Sequence, residues 1–417
     1  MGYISHCSGR RKMSYTEIKT KLEGLGQEQL LKFYDELDGQ AQDRLLDEID
    51  KIDFDLINTE PDKTTDEEIV PLGAMTLAEI EAQKEELEAI GLEAIRSGKV
   101  ALLLLAGGQG TRLGADGPKG AYNVGLTRDL YIFQCQINNL MEVVKKAGCP
   151  IRLAIMTSVK NDAQTRAFFE EHDYFGYDRN YIDFFIQEMM PATDFNGKVY
   201  LEAKDHVALS PNGNGGWYKT LLSNGLAQKY KTAGVEWLNV YSVDNVLQRM
   251  GDPVFIGATI KSGCEVGSKV IAKAAPDEKV GVMCLRNGHP SIVEYYELTD
   301  DMMNLKDENG VLLYNWGVIL NYLFKIEGLD RIGEKNMPLH VVEKKIPYLD
   351  EDGAEVKPES PNGYKFETLA LDLIYLMKDC LAFEIEREKE FAPVKNLHGV
   401  DSVDTARELL KGNGVEL

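Results

Sequence analysis

The sequence is poor in residues that form disulfides or histidine metal sites. Its six cysteines, at positions 7, 135, 149, 264, 284 and 380, are scattered and include no C-x-x-C pair. Such spacing is typical of reduced thiols and predicts a cytoplasmic protein. The six histidines are equally dispersed, and no H-E-x-x-H or similar metal-ligand spacing occurs. The sequence therefore gives no sign of a disulfide framework or a histidine-based metal centre.

Long apolar runs and excess positive charge are also missing. No stretch reaches 18 apolar residues, so no transmembrane helix is expected. Residues 1–12 are polar, carry Arg10, Arg11 and Lys12, and lead into no apolar segment, which predicts a disordered leader rather than a signal peptide, with Met13 as a second candidate start. Lysine and arginine total 46 against 68 acidic residues, a net charge of −22. This charge argues against nucleic acid or an anionic membrane as the main partner.

An alternation of strand-like and helix-like segments occupies most of the 417 residues. Residues 14–58 repeat apolar positions at steps of three and four and are predicted to be helical, 59–75 to be a connecting loop, and 76–97 to be a second helix. From Val100 onward, strands and helices alternate, which predicts an α/β fold with a doubly wound, mostly parallel sheet. The predicted strands are 100–106, 151–157, 181–187, 235–243, 254–261, 269–274, 280–285 and 381–385. The predicted helices are 131–147, 161–171 (capped by Asn161), 216–233, 364–378 and 402–411.

The first strand ends in an unusual glycine loop. After the apolar run Val100–Ala106 come Gly107 and Gly108, where the missing Cβ lets backbone N–H groups surround an anion. Arg112 and Lys119 follow within the same loop, and two cations suit a triphosphate. An ordinary strand-to-helix turn remains the alternative, although such a turn needs no cations.

Two better-known glycine motifs do not fit this loop. The dinucleotide fingerprint G-x-G-x-x-G would need a glycine where Leu113 stands. The P-loop would need a glycine followed by lysine and then serine or threonine, which does not occur here.

Two further segments carry chemistry. Gly213-Asn214-Gly215-Gly216 is either a flexible turn or a place where the backbone approaches a planar or sugar group closely. Asp244 ends an apolar strand, and ligands of parallel sheets bind at the carboxyl ends of strands. A carboxylate beside a triphosphate needs a cation between them, which predicts Mg²⁺; a helix cap is the alternative for Asp244.

These motifs together resemble those of a known family. Gly-Gly-x-Gly-Thr-Arg-Leu-Gly followed by Pro-Lys-Gly is similar to the nucleotide-binding loop of the UDP-sugar pyrophosphorylases, above all the eukaryotic type of UDP-N-acetylhexosamine pyrophosphorylase. The resemblance extends from about residue 14 to the C-terminus. It implies a Rossmann-like nucleotidyltransferase that converts UTP and a sugar 1-phosphate to a UDP-sugar and pyrophosphate. The expected division is a leader (1–13), a helical N-terminal region (14–97), a catalytic domain (98–340) and a small C-terminal α+β region (341–417).

The resemblance also implies roles for individual residues. Arg112 and Lys119 would hold the triphosphate, Asp244 the Mg²⁺, and Lys365 the sugar phosphate. The implied uridine contacts are Ala106, Gly107, Gly108, Gln187 and Gly213. The implied sugar-side residues are Asn214, Gly281, Glu294, Asn315 and Lys395, the last also reaching the phosphates. Without the resemblance, Glu294 and the two lysines Lys365 and Lys395 would be read as ordinary surface charges.

Two positions depart from the family pattern. Glu188 follows Gln187, and Trp316 follows Asn315, where the family has small residues. N-acetylglucosamine 1-phosphate is the expected sugar substrate, but the indole of Trp316 would fill space that an acetyl group needs, which favours glucose 1-phosphate as the alternative. Two other classes stay open: a non-catalytic sugar-nucleotide sensor on the same fold, and a dinucleotide-dependent oxidoreductase.

Overall fold

The computed structural model describes residues 12–57, 67–333 and 337–417. The chain forms two compact units. The smaller unit comprises Met1–Thr64, Glu188–Gly216 and Asn336–Ala370, and the larger comprises Thr65–Gln187, Trp217–Lys335 and Leu371–Leu417. Most of the predicted leader lies outside the described residues. Each unit consists of three separate segments of the chain, whereas the sequence predicts a division into four consecutive segments. That division into four segments stays a prediction.

The larger unit is built on a sheet of eleven described strands whose centre is parallel. Val100–Leu105 lies between Trp237–Ser242 and Arg152–Thr157 and is parallel to both. All six residues of Val100–Leu105 are buried, as expected for a strand covered on both faces. The main path of the sheet runs in the order Ala74–Met75, Cys380–Glu384, Val266–Ala272, Trp316–Lys325, Trp237–Ser242, Val100–Leu105, Arg152–Thr157, Ile182–Ile186. The strands Ile69–Pro71, Val282–Arg286 and His289–Val293 extend it beside Trp316–Lys325.

The described helices of the larger unit begin with Leu77–Arg96, which Thr76 and Glu79 cap reciprocally. The other α-helices are Ile132–Ala147, Asp162–Glu171, Trp217–Ser223, Leu226–Thr232, Pro253–Ser262, Asp300–Asn304, Ile326–Ile332, Arg387–Glu390 and Val403–Gly412. The helix Ala370–Tyr375 starts at the boundary between the units. None of the helices in the described parts of the chain has the length and apolar character to cross a membrane.

Two helices of the larger unit touch backbone to backbone. A Cβ atom added to Gly257 would lie 1.7 Å from the carbonyl oxygen of Leu87, and one added to Gly91 would lie 1.9 Å from that of Pro253. The helices Leu77–Arg96 and Pro253–Ser262 can therefore pack this closely only because both contact positions are glycine.

The smaller unit combines short helices with small antiparallel sheets. Its helices are Tyr15–Leu25, Gly39–Lys51 and Phe54–Ile57. Its strand pairings are Met189–Pro191 with Leu209–Pro211, Leu201–Ala203 with His206–Val207, Tyr348–Leu349 with Glu355–Val356, and Gly363–Glu367 with both His340–Lys344 and Thr193–Asp194. The helices bury Ile18, Leu22, Leu45 and Ile49 against Phe366 and other strand residues. The N-terminal helices are thus covered by strands that come much later in the chain.

The predicted fold class is confirmed, because the central sheet is mostly parallel and alternates with helices. One predicted strand is wrong: residues 254–261 lie in the helix Pro253–Ser262. This segment starts with a proline and is capped by Asp252, whose carboxylate accepts the N–H of Val254 at 3.0 Å. The helix is buried along most of its length and so lacks the polar face that marks a surface helix.

Other differences concern segment boundaries. Residues 364–378 form the strand Gly363–Glu367 and only then the helix Ala370–Tyr375, so a single helix there is wrong. The helix predicted over 216–233 is interrupted at Gly225, whose φ is +81°. The described end of the 59–75 loop contains two short strands, Ile69–Pro71 and Ala74–Met75.

Candidate active site

The predicted nucleotide residues of the larger unit lie at one edge of its sheet. Leu105 pairs with Ser242 on one side and with Met156 on the other, and Thr157 pairs with Ile186. All four strands are parallel, so their carboxyl ends emerge together. Ala106, Gln187 and Asp244 follow directly at this edge.

The glycine loop folds back on itself instead of entering a helix. Gly110 N–H donates to the carbonyl of Gly117 at 2.9 Å, and Lys119 N–H donates to that of Gly108 at 3.2 Å. These bonds bring Lys119 beside the start of the loop. The loop itself contains only two 3₁₀ turns, Thr111–Leu113 and Lys119–Ala121, and the first α-helix after it, Ile132–Ala147, begins well downstream. The alternative of a simple strand-to-helix turn is therefore wrong.

Three of the predicted cations and one carboxylate form a cluster at this edge. Lys119 Nζ lies 3.8 Å from Asp244 Oδ2, and the two side chains are 15% and 25% exposed. Burial lowers the pKa of Lys119; Asp244 opposes this shift, while the charges of Lys395 and Arg112 add to it. Ser242 Oγ donates to Asp244. Lys395 Nζ also pairs with Asp401 at 3.0 Å, so three cations face these two carboxylates and the net charge stays positive, as an anion site requires.

Asp244 does not cap a helix. The next described helix is Pro253–Ser262, and its cap is Asp252. The alternative role proposed for Asp244 from the sequence is therefore wrong.

Lys395 is carried by a well-anchored segment. The carboxylate of Glu390 pairs with the fully buried Lys269 at 2.6 Å, and the Glu390 carbonyl accepts Asn245 Nδ2 at 2.6 Å. Val394 N–H donates to the carbonyl of Asp244 at 2.7 Å. These contacts fix the segment before Lys395 against Asp244, so Lys395, expected on the sugar side, lies in the cation cluster.

Gln187 lies against the glycine loop. Its backbone N–H donates to Thr157 at 2.8 Å, and its side chain is nearly buried. A Cβ atom on Gly107 would lie 2.8 Å from Gln187 Oε1. Glycine at 107 therefore makes room for the glutamine, and the two predicted uridine residues are neighbours.

Gly281 and Glu294 also lie together. Gly281 precedes the strand Val282–Arg286, and Glu294 follows its antiparallel partner His289–Val293. A Cβ atom on Gly281 would lie 3.3 Å from Glu294 Oε1. These two predicted sugar-side residues share one face of the sheet.

Trp316 points toward that same face. Gly317 lies opposite Val282, and opposed residues point to the same side of a sheet. Because side chains alternate along each strand, Trp316 shares the face of the Gly281–Glu294 pair. Asn315 precedes the strand and is buried, and its Oδ1 accepts the backbone N–H of Lys273 at 3.1 Å. The structure therefore groups Trp316, rather than Asn315, with those two residues.

The remaining predicted residues belong to the smaller unit. Gly213 has φ +80°, and a Cβ atom on it would lie 2.2 Å from the carbonyl oxygen of Thr368. Asn214 Oδ1 accepts the N–H of Ala370 at 2.9 Å. Lys365 lies in the three-stranded sheet of this unit. The close approach that glycine permits at 213 is thus to the chain's own backbone.

Sequence reasoning missed a role for Asn161. This residue occupies the predicted helix-cap position, but its side chain makes no capping bond to the helix. It bonds instead to Ser158 and to the glycine loop. The available signal was a polar residue just beyond a buried strand. The sequence pattern predicts a helix cap at this position, which leaves the residue no role in the glycine loop.

The chemistry of the cluster fits a magnesium–triphosphate complex. Within the described ranges no group of three His, Cys, Asp or Glu side chains could hold a metal. Mg²⁺, however, commonly takes one or two carboxylates and completes its coordination with phosphate oxygens and water. A single strand-end carboxylate, Asp244, beside the cations Arg112, Lys119 and Lys395 suits that arrangement.

Comparison with known proteins agrees with this geometry. Residues 42–405 match the family model described as UTP–glucose-1-phosphate uridylyltransferase. The chain is 39% identical over 409 residues to the UDP-N-acetylhexosamine pyrophosphorylase-like protein 1 of Mus musculus, covering 92% of this chain and 81% of that protein. It is 38% identical over 427 residues to the UDP-N-acetylglucosamine pyrophosphorylase of Saccharomyces cerevisiae, covering 94% and 88%.

A solved structure extends the comparison to the fold. The UDP-N-acetylglucosamine pyrophosphorylase of Trypanosoma brucei, crystallised with an inhibitor, aligns with a TM-score of 0.80 at 28% identity, covering 95% of this chain and 84% of that one. The chain therefore belongs to the UDP-sugar pyrophosphorylase family, whose enzymes are uridylyltransferases.

Proposed function

We propose that this protein transfers the uridylyl group of UTP to N-acetylglucosamine 1-phosphate, forming UDP-N-acetylglucosamine and pyrophosphate. The observation that carries the proposal is the cluster of Arg112, Lys119 and Asp244 beside the glycine loop. The names of the mouse and yeast relatives support the choice of sugar. The glucose name of the matched family model keeps UTP–glucose-1-phosphate uridylyltransferase as the alternative.

The reaction needs positioning and charge neutralisation more than covalent catalysis. A phosphate oxygen of the sugar 1-phosphate attacks the α-phosphorus of UTP in line, a new P–O bond forms, and the bond to the β-phosphate oxygen breaks. Pyrophosphate leaves with that electron pair. Arg112 and Lys119 would offset the charge on the phosphates, and Lys365 would hold the sugar phosphate. Gln187 and the glycine loop would bind uridine.

Magnesium is part of the proposal. Asp244 would bind the ion together with phosphate oxygens of UTP, and the ion would neutralise charge on those oxygens. The five described cysteines form no disulfides. That finding supports, as a further proposal, a cytoplasmic location.

Pyrophosphate release tests the activity directly. Purified protein with UTP, Mg²⁺ and N-acetylglucosamine 1-phosphate should release pyrophosphate and form UDP-N-acetylglucosamine. Binding of UTP without release would instead identify a sugar-nucleotide sensor. Binding of NAD(P)H in place of UTP would favour an oxidoreductase.

Replacing Asp244 with asparagine should raise the Mg²⁺ concentration needed for half-maximal rate, because the amide keeps the shape but loses the charge that attracts the ion. Removal of Mg²⁺ with EDTA should abolish activity in the native protein. The measurement is the initial rate across a Mg²⁺ titration. Asp178→Asn, an exposed carboxylate of the same unit, is the control and should leave the titration unchanged. Identical titrations for Asp244→Asn and the native protein would remove Asp244 from the metal site.

The ratio of kcat/KM for N-acetylglucosamine 1-phosphate to that for glucose 1-phosphate should favour the acetylated sugar in the native protein. Trp316→Ala should change this ratio about tenfold or more, since the indole lies on the face of Gly281 and Glu294 and pockets discriminate such groups by about 10–200-fold.

This ratio of kcat/KM values needs no separate control for folding, because a loss of folded protein lowers the rates with both sugar phosphates equally. A native preference for glucose 1-phosphate would establish the alternative substrate. An unchanged ratio in Trp316→Ala would show that the indole lies away from the sugar.

A further inference from the structure

Asn161 is a fully buried polar residue at the active edge of the larger unit. It lies between the strand Arg152–Thr157 and the helix Asp162–Glu171, and it is 0% exposed. A buried amide without hydrogen-bond partners is costly, so its partners indicate what it does.

Both donor positions of this side chain act on the glycine loop. Asn161 Nδ2 donates to the carbonyl of Ala106 at 2.9 Å and to that of Gly108 at 3.2 Å. Its Oδ1 accepts the N–H of Ser158 at 2.8 Å. The amide group is therefore anchored to the strand end and binds two alternate carbonyls of the loop.

These bonds orient the other side of the loop. In a trans peptide the C=O of one residue and the N–H of the next point in opposite directions. Because the carbonyls of Ala106 and Gly108 point toward Asn161, the N–H groups of Gly107 and Gln109 point away from it. Within the described part of the chain, neither N–H has an acceptor.

The same side chain is linked to Lys119. The carbonyl of Gly108 accepts both Asn161 Nδ2 and the backbone N–H of Lys119, the latter at 3.2 Å. Loss of Asn161 would leave this carbonyl held by the Lys119 N–H alone, so the loop start and the segment that carries the lysine would be less firmly fixed.

We infer that Asn161 is a positioning residue of the nucleotide loop: it holds two loop carbonyls inward so that the N–H groups of Gly107 and Gln109 face UTP. This inference rests on the proposed function. Asn161 acts through the loop backbone and not by contact with the substrate.

The test uses Asn161→Ala and Asn161→Asp. The aspartate keeps the acceptor for Ser158 but replaces both donors with a charge facing two carbonyl oxygens. Both variants should raise the Kd and KM for UTP about 10–100-fold. The KM for the sugar phosphate should change less than about threefold. UTP binding is measured by calorimetry without the sugar phosphate, and the unfolding midpoint is measured alongside.

Asn239 offers a matched control. It is also 0% exposed, its Nδ2 donates to Asn321 at 2.7 Å and to Tyr322 at 3.0 Å, and its Oδ1 accepts Gly251 N–H at 2.7 Å. Asn239→Ala therefore removes a similar buried network away from the loop. It should lower stability comparably while leaving the Kd for UTP within about twofold.

A measurement on the native protein removes any dependence on folded variants. Hydrogen exchange at Gly107 and Gln109 should slow when UTP is added, because UTP supplies the missing acceptors. Unchanged exchange at both amides would overturn the inference. Equal weakening of UTP binding by Asn161→Ala and Asn239→Ala would overturn it as well. In either case, turnover of UTP by the native protein would still support the proposed function. Failure of the native protein to bind UTP would overturn the proposed function itself.

Discussion

Replacing Lys119 with alanine should lower kcat by about a hundredfold or more, because a cation beside the phosphates stabilises charge that grows in the transition state. The variant should fold at least as well as the native protein. The fold lowers the pKa of Lys119, chiefly by burial and also by the nearby cations Lys395 and Arg112, so the charged lysine is less stable here than in the unfolded chain. Replacing the lysine with alanine removes the free-energy cost of holding this charge in the folded protein at neutral pH.

The measurement pairs steady-state kinetics with an unfolding curve. Lys145→Ala, an exposed helical lysine of the same unit, should change neither. An unaltered kcat in Lys119→Ala would exclude the lysine from the reaction. A large fall in the unfolding midpoint would instead make its role structural.

Replacing Gly257 with alanine should reduce the free energy of unfolding by about 3 kcal/mol, the upper range for overpacked interiors. The added methyl would lie 1.7 Å from the Leu87 carbonyl oxygen, and a backbone atom of a long helix cannot move aside as a flexible side chain can. The helices Leu77–Arg96 and Pro253–Ser262 would have to separate, which would open the packing along both. Urea or thermal unfolding of the larger unit measures the loss.

Gly412 provides the comparison within the same unit, since it is also a helical glycine but has no atom within 4 Å of an added Cβ. Gly412→Ala should be neutral or stabilise by up to about 1 kcal/mol through helix propensity. Adding Gly91→Ala to Gly257→Ala should cost less than the sum of the single changes, because the first methyl already separates the helices. Equal stabilities for Gly257→Ala and Gly412→Ala would contradict the tight contact.

The central sheet could be predicted because its strands are short apolar runs bounded by turn residues. Val100–Leu105 and Trp237–Ser242 are buried strands of this kind, and their pattern is visible without a partner. The helix Pro253–Ser262 could not be separated from a strand in this way. It is apolar around most of its circumference, so the only local marks of a helix are Asp252 as its cap and Pro253 as its first residue.

In the candidate site, too, some residues could be identified from the local sequence and others could not. Arg112, Lys119 and Asp244 could be identified because charged residues beside a glycine loop or at a strand end have a local signature. The inferred function of Asn161 depends on its hydrogen bond to Ala106, which lies 55 residues earlier in the chain. Likewise, the shared face of Trp316 and Gly281 follows from strand register, which no local pattern encodes.

The folded-back glycine loop has a consequence for how UTP binds. Fixing one residue's backbone costs about 1–2 kcal/mol in conformational entropy. Here the bonds between Gly110 and Gly117 and between Gly108 and Lys119 already order the loop within the protein alone. That entropy is lost when the chain folds, not when the nucleotide arrives, so UTP meets a rigid surface and its contacts can contribute to affinity almost in full.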